Sequence, residues 1–202
     1  MKCISLVSVL LFLAMIGCSK DSTSTSPGPP VEKDNLALGW QSFEAQRYDS
    51  AVTYFTTAYN EATTAPLRGE SLSGRGWSYM YKRDLVKSKG DFVFASGLTG
   101  ITASVVNDVR VGSAFALYSL NDFSGAALNA NAALSDNPAY VFAHDAKVTL
   151  KRVRLLIVQS YFANGQFAQS AAQLDIVDPS RAPHSTDPTI LLGNITAALN
   201  SL

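Results

Sequence analysis

Apolar positions between residues 38 and 58 fall into two helical registers separated by a short polar break. Leu38, Gly39 and Phe43 keep helical spacing, Gln46 and Arg47 interrupt it, and Tyr48, Ala51, Phe55 and Ala58 resume it. Those last four are three, four and three residues apart, which puts them on one helix face. The pattern predicts two short antiparallel helices. A short connection forces such helices close together, and Gly39 and Ala51 are small enough to allow it. Phe55 is then left to fill the space between this pair and the next. One pair cannot bury its own apolar face, so further pairs must stack on it.

The pattern returns three times. Gly76, Tyr79, Leu85, Ser88, Phe92 and Ala95 repeat it, with Asp84 placed to cap the second helix. Leu117, Phe123, Ala126, Ala130, Ala133 and Pro138 repeat it again, with Asp122 as the cap. Tyr161, Phe167, Ser170, Leu174 and Val177 give a fourth, weaker copy with Gly165 in its turn. The small residues Ala51, Ser88, Ala126 and Ser170 are 37, 38 and 44 residues apart. Helices are therefore expected over 35–45 (capped by Asp34), 48–63, 66–82, 84–96, 104–120 and 122–134. A long helix from Pro138 or Asp145 to Asn164 follows, then 167–177. Residues 178–187 read as loop. Thr186 or Asp187 can cap a closing helix with Pro188 in its first turn, carrying Ile190, Leu191, Ile195, Ala198, Leu199 and Leu202. The fold class is all-α.

The unit resembles the tetratricopeptide repeat, whose length is about 34 residues. The resemblance spans Asn35 to Val177. It is carried by Leu38-Gly39, by the Tyr48, Ala51, Phe55, Ala58 run, and by Asn137-Pro138 at the end of the third copy. Departures exist: Asn35, Leu72, Arg110 and Arg154 stand where the family has an early aromatic, and Ala114 and Val158 replace the glycine. The resemblance implies a right-handed α-solenoid of about four helix pairs with a C-terminal capping helix. It also implies a concave groove lined by the first helix of each pair. Carried across, that side holds Trp40, Phe43 and Glu44, then Trp77, Met80 and Tyr81, then Phe115 and Tyr118, then Gln159 and Phe162. Both tryptophans of the chain share one register. A groove floored this way suits an apolar or aromatic peptide segment, since Trp and Tyr are frequent energetic anchors at interfaces. The same side chains can alternatively pack between adjacent first helices.

The N-terminus changes the picture of address. Lys2 precedes an apolar run of 13 residues, 4–16, too short to span a bilayer comfortably but suited to a secretory signal. Met15-Ile16-Gly17-Cys18 resembles a bacterial lipoprotein signal, which implies that residues 1–17 are removed and Cys18 is acylated. Cys3 is the only other cysteine, so a single thiol would remain, and acylation accounts for it. Residues 18–34 then form the lipidated start and a polar, proline-containing tether, which at ~3.3 Å per residue reaches on the order of 50 Å. Residues 35–182 carry the repeats, and 183–202 the loop and capping helix. By analogy with enteric bacteria, Ser19 suggests an anchor in the outer membrane facing the periplasm.

Charge and chemistry narrow the function. Lys plus Arg and Asp plus Glu number 16 each, so no basic surface points to nucleic acid. The two histidines, His144 and His184, are far apart in sequence, and no metal-ligand spacing, phosphate loop or nucleophile elbow is present. No catalytic residue, metal or cofactor is assigned. Lys147, Lys151 and Arg154 fall on one helical stripe, an ordinary solvated face or a contact for an acidic partner. The expectation is a non-enzymatic envelope lipoprotein that binds or scaffolds a protein or peptide. One alternative is a glycan or small-molecule binder stacking sugars on Trp40, Trp77 and Phe115. Another is an all-α cell-wall hydrolase using Glu44 or Glu70.

Overall fold

The computed structural model describes residues 31–202. The signal-like run, Cys18 and the tether as far as residue 30 lie outside the described residues. Nine α-helices follow among those described: α1 (Val31–Glu44), α2 (Tyr48–Glu61), α3 (Ala65–Tyr81), α4 (Leu85–Ser96), α5 (Ala103–Ser119), α6 (Phe123–Asp136), α7 (Leu150–Ala163), α8 (Phe167–Val177) and α9 (Pro188–Leu199). They pack as consecutive antiparallel pairs. The first helix starts at Val31, ahead of Asp34, which therefore lies within its first turn instead of capping it.

Each pair turns in the same way. Gln46, Arg83, Asn121 and Gly165 occupy the left-handed region, with φ of 58°, 62°, 64° and 71°. The amide of the following residue reaches back five positions: Arg47 to Ser42, Asp84 to Tyr79, Asp122 to Leu117 and Gln166 to Tyr161, at 2.8–2.9 Å. This is the Schellman closure, which satisfies carbonyls left open at a helix end. Asp84 and Asp122 then cap the second helices by accepting from the amides of Lys87 and Gly125. Ala51, Ser88, Ala126 and Ser170, the small residues of the repeat, are fully buried.

Stacking between pairs depends on two phenylalanines. A Cβ on Gly39 would lie 2.6 Å from the Phe55 ring, and one on Gly74 2.3 Å from it. A Cβ on Gly76 would meet the Phe92 ring at 2.8 Å, and one on Gly112 at 2.3 Å. Each ring is thus wedged between glycines of two successive first helices. At the third interface Ala130 holds the phenylalanine register, and Val153, Leu156 and Ile157 of α7 are buried in the same core. Arg75 adds a buried fork to the second pair. It donates from Nε and Nη2 to the two carboxylate oxygens of Asp91 at 2.8 and 2.7 Å, and from Nη1 to Thr56 at 3.3 Å.

First helices touch one another along the array, α1 to α3, α3 to α5 and α5 to α7. Second helices of successive pairs do not come into contact among the described residues. The stack therefore curves with its first helices on the inside. The closing helix α9 seals the far end: Leu191, Ile195 and Ala198 bury against Leu155, Val158, Ala171 and Leu174. Its N-terminus is capped by Asp187, which accepts from the amides of Thr189 and Ile190.

One element departs from the sequence expectation. The long helix predicted from Pro138 or Asp145 begins only at Leu150, capped by Thr149. Residues 137–149 leave the stack as a non-helical strap, and Lys147 lies on it, so the expected basic stripe is broken. Connections between pairs otherwise span only 62–64 and 97–102.

Candidate functional site

The strap runs along the inner face. From Tyr140 to His144 burial alternates: Tyr140 and Phe142 are buried, Val141 and Ala143 exposed, and His144 is half-buried. That period of two marks a short stretch lying on a surface before the chain turns at residues 143–144. The Tyr140 hydroxyl donates to Asp108 of α5 at 2.8 Å. Phe142 stacks on Trp77 of α3, with centroids 4.3 Å apart, and meets Trp40 and Phe43 of α1 edge-on at 6.2 and 6.1 Å. His144 lies parallel to the Trp40 indole at 3.5 Å, and its Nδ1 is 2.8 Å from Glu44. The Tyr81 hydroxyl donates to Asp145. The strap thus crosses three first helices before returning to α7.

Of the residues placed in the groove by sequence, Trp40, Phe43, Glu44, Trp77, Met80, Tyr81 and Phe115 are gathered around this strap. Trp77 has no exposed surface and Phe43 only 3%, so the chain's own segment, not the closing helix, covers them. Each indole is also tied to the next first helix. Trp40 donates to Glu70 at 3.1 Å, and Trp77 to the backbone carbonyl of Asp108 at 3.1 Å. Tyr118 and Phe162 are placed differently: they pack edge-on across their own turns against Phe123 and Phe167, both at 5.3 Å. Phe43 makes the same contact with Tyr48 at 5.6 Å. That position closes the pair in each of these copies. Gln159 is half-buried on α7, outside the lining of the hollows described next.

Tyr140, Phe142, His144 and Asp108 were not singled out by the sequence as parts of one site. The available signal was the alternation after Pro138, which is short and runs straight into helix-like sequence.

The strap leaves part of the inner face open. A hollow of roughly 560 Å³ is lined by Trp77, Met80, Tyr81, Arg83, Leu85, Phe115, Ser119, Val148 and Arg152. A smaller one of roughly 230 Å³ lies beyond the strap, between Glu44, Tyr48, Tyr81, His144, Asp145 and Lys147. Burial, then the bond to Asp145, holds the Tyr81 hydroxyl well above its ordinary range, so it stays a donor. Burial pushes the Asp108 carboxyl up to about 6, against the pull of the Tyr140 hydrogen bond. His184, the other histidine, is buried at the far end, where both its amide and Nδ1 meet Asp175 Oδ1, at 2.8 and 2.7 Å. No group of three or more metal-ligating side chains occurs among the described residues, and no described helix is long and apolar enough to cross a membrane.

No protein-family model matches the sequence, and no curated protein matches it. Among solved structures, the chain is similar to a tetratricopeptide repeat protein from Parabacteroides merdae, with a TM-score of 0.58 at 10% identity. The match covers 84% of this chain and 60% of that one, so this chain spans less than two thirds of its neighbour's length. At that identity the likeness speaks to fold. The repeated turns, the wedged phenylalanines and the inward first helices agree with it: the chain folds as an all-α, right-handed tetratricopeptide-like solenoid of four helix pairs with a capping helix.

Proposed function

We propose that this protein is a non-enzymatic scaffold of the cell envelope, anchored through an acylated Cys18, that holds a protein or peptide partner on its inner face. The observation that carries the reading is the open hollow beside the strap. It offers Met80 and Tyr81 of α3 and Phe115 of α5, all partly exposed, on adjacent first helices. A concave wall with aromatic anchors is suited to grip an extended or helical segment.

The acids that a glycan binder or hydrolase would use are already engaged. Glu70 accepts from Trp40, Asp108 from Tyr140, and Glu44 meets His144. No carboxylate lines the aromatic hollow itself, which favours the scaffold reading.

A photocrosslinking residue in place of Met80, compared with one at Leu128 on the outer face of α6, tests the inner-face assignment in intact envelopes. One partner captured from position 80 and absent from position 128 is the expected result. Equal capture at both, or none at 80, counts against it. Anchoring is tested separately: Cys18→Ser should abolish labelling by radioactive palmitate and release the protein from membranes, and persistence of both would overturn the anchor.

A further inference from the structure

Two arginines flank the open hollow, and no carboxylate lines it. Arg83 comes from the left-handed position of the second turn, and Arg152 from the first turn of α7. Among the described residues neither has an ion-pair partner; Arg152 makes one long bond, from Nη1 to the Lys147 carbonyl at 3.4 Å. The nearby acids are committed elsewhere. Asp84 pairs with Lys87 at 2.8 Å, Asp49 with Lys82, and Asp145 accepts from Tyr81 and faces the smaller hollow. An apolar floor flanked by two guanidinium groups suits a carboxylate, since Arg is the side chain best shaped to take one in a fork.

The strap shows what this face accepts. It is a non-helical segment, turning at residues 138–139, 143–144 and 146–147, that sets a phenylalanine, Phe142, on the Trp77 indole and an aspartate, Asp145, on the Tyr81 hydroxyl three residues later. Trp77 and Tyr81 also line the open hollow, so the two halves of the inner face share a wall. Continuity with this internal occupant favours a peptide over a lipid or a sugar.

We infer that the hollow takes an acidic segment of the partner protein, seating one aromatic side chain against Met80, Tyr81 and Phe115 and placing carboxylates on Arg83 and Arg152. This deepens the proposed scaffold role and rests on it.

The test uses the full-length protein in detergent, labelled with carbon-13 at its methionine methyls. The chain has three methionines, Met1, Met15 and Met80, so the Met80 resonance is assigned with one variant, Met80→Leu. Three capped peptides are titrated to millimolar concentration: Ac-Asp-Phe-Ala-Ser-Asp-NH2, its Asn-for-Asp analogue, and its Ala-for-Phe analogue. The expected result is a saturable shift of the Met80 methyl by the first peptide, with each analogue roughly tenfold weaker, the size of one charged hydrogen bond or one buried ring. The double variant Arg83→Gln, Arg152→Gln should erase the preference for the acidic peptide while leaving the free Met80 resonance in place. Equal binding of the acidic and amide peptides would overturn this inference and leave the hollow standing as a docking site. Equal binding of the phenylalanine and alanine peptides would overturn the aromatic seat. No shift with any peptide would remove the hollow as a site, and the scaffold reading of this face with it.

Discussion

Replacing Phe142 by alanine removes the side chain that holds the strap against the inner face. Phe142 is 1% exposed and touches Trp77, Trp40 and Phe43. A phenylalanine buries on the order of 150 Å², worth roughly 4 kcal/mol at about 25 cal/mol per Å². Measured Phe-to-Ala costs of about 3–5 kcal/mol agree. For a domain of this size about 4 kcal/mol corresponds to a Tm loss of roughly 8–16 °C. That full loss is felt only while the strap stays down. If the remaining contacts cannot hold it, the strap lifts, the loss is capped at the free energy of docking, and the indoles beneath meet water. Both cases are read in one experiment, because Trp40 and Trp77 are the only tryptophans. Thermal unfolding by circular dichroism gives the stability, and acrylamide quenching of the fluorescence gives the cover. A large Tm drop with quenching unchanged means a strap still seated over a cavity. A smaller drop with strong quenching and native helix content means a lifted strap. A variant that shows neither, with Tm within a degree or so of wild type and protected indoles, would refute the placement of Phe142 on Trp77.

Three further outcomes follow from the packing and the charges. Gly112→Ala should cost about 1–3 kcal/mol in chemical denaturation, since the new methyl meets the Phe92 ring at 2.3 Å, whereas Gly90→Ala, with nothing within 4 Å, should gain about 0.5–1 kcal/mol as a helix substitution. Equal effects at the two sites would contradict the wedge. Asp91→Ala should cost about 3–5 kcal/mol because it strands a mostly buried guanidinium, and the Arg75→Met, Asp91→Ala double variant should recover part of that in a double-mutant cycle; strictly additive losses would show the pair to be uncoupled. Asp108, raised to about 6 by burial, binds more protons folded than unfolded between about pH 4 and 6, so its contribution to stability falls as pH rises through that window, by at most roughly 3 kcal/mol. Asp108→Asn should therefore raise Tm relative to wild type at neutral pH and lose that advantage near pH 4; an advantage independent of pH would refute the assignment.

The pairs were legible because their signals are local. The spacing of Tyr48, Ala51, Phe55 and Ala58 requires only one helix face, and Asp84 and Asp122 cap their own helices. The role of Gly74 and Gly112 needs two helices at once, since each matters only through a phenylalanine from the preceding pair. Glu70 and Asp108 carry no sequence sign of their partners, since the hydrogen bonds from Trp40 and Tyr140 come from 30 and 32 residues away. The strap was the hardest element to see. Tyr140, Phe142 and His144 alternate over too few residues to outweigh the helix-like run that follows, and His144 is fixed by Glu44, 100 residues away. A segment whose conformation is set by contacts that distant carries little of it in its own pattern.

The strap also changes what kind of object the solenoid is. In a simple repeat array each unit touches only its neighbours, so terminal pairs fray alone and the inner face is open along its length. Here the connection before the fourth pair returns to α1, stacking His144 on Trp40 and Phe142 between the first and second pairs. The first pair cannot loosen without disturbing residues that lead directly into α7, so contacts of long sequence separation tie the two ends of a short array together. The same detour fills the groove over α1 and part of α3, and then Val148, at its end, becomes a wall of the remaining hollow. The thirteen residues of 137–149 thus complete the core on one side and shape the open site on the other. On the proposed reading, selectivity would rest on this hollow, which Arg83 and Arg152 line together with Met80, Tyr81 and Phe115.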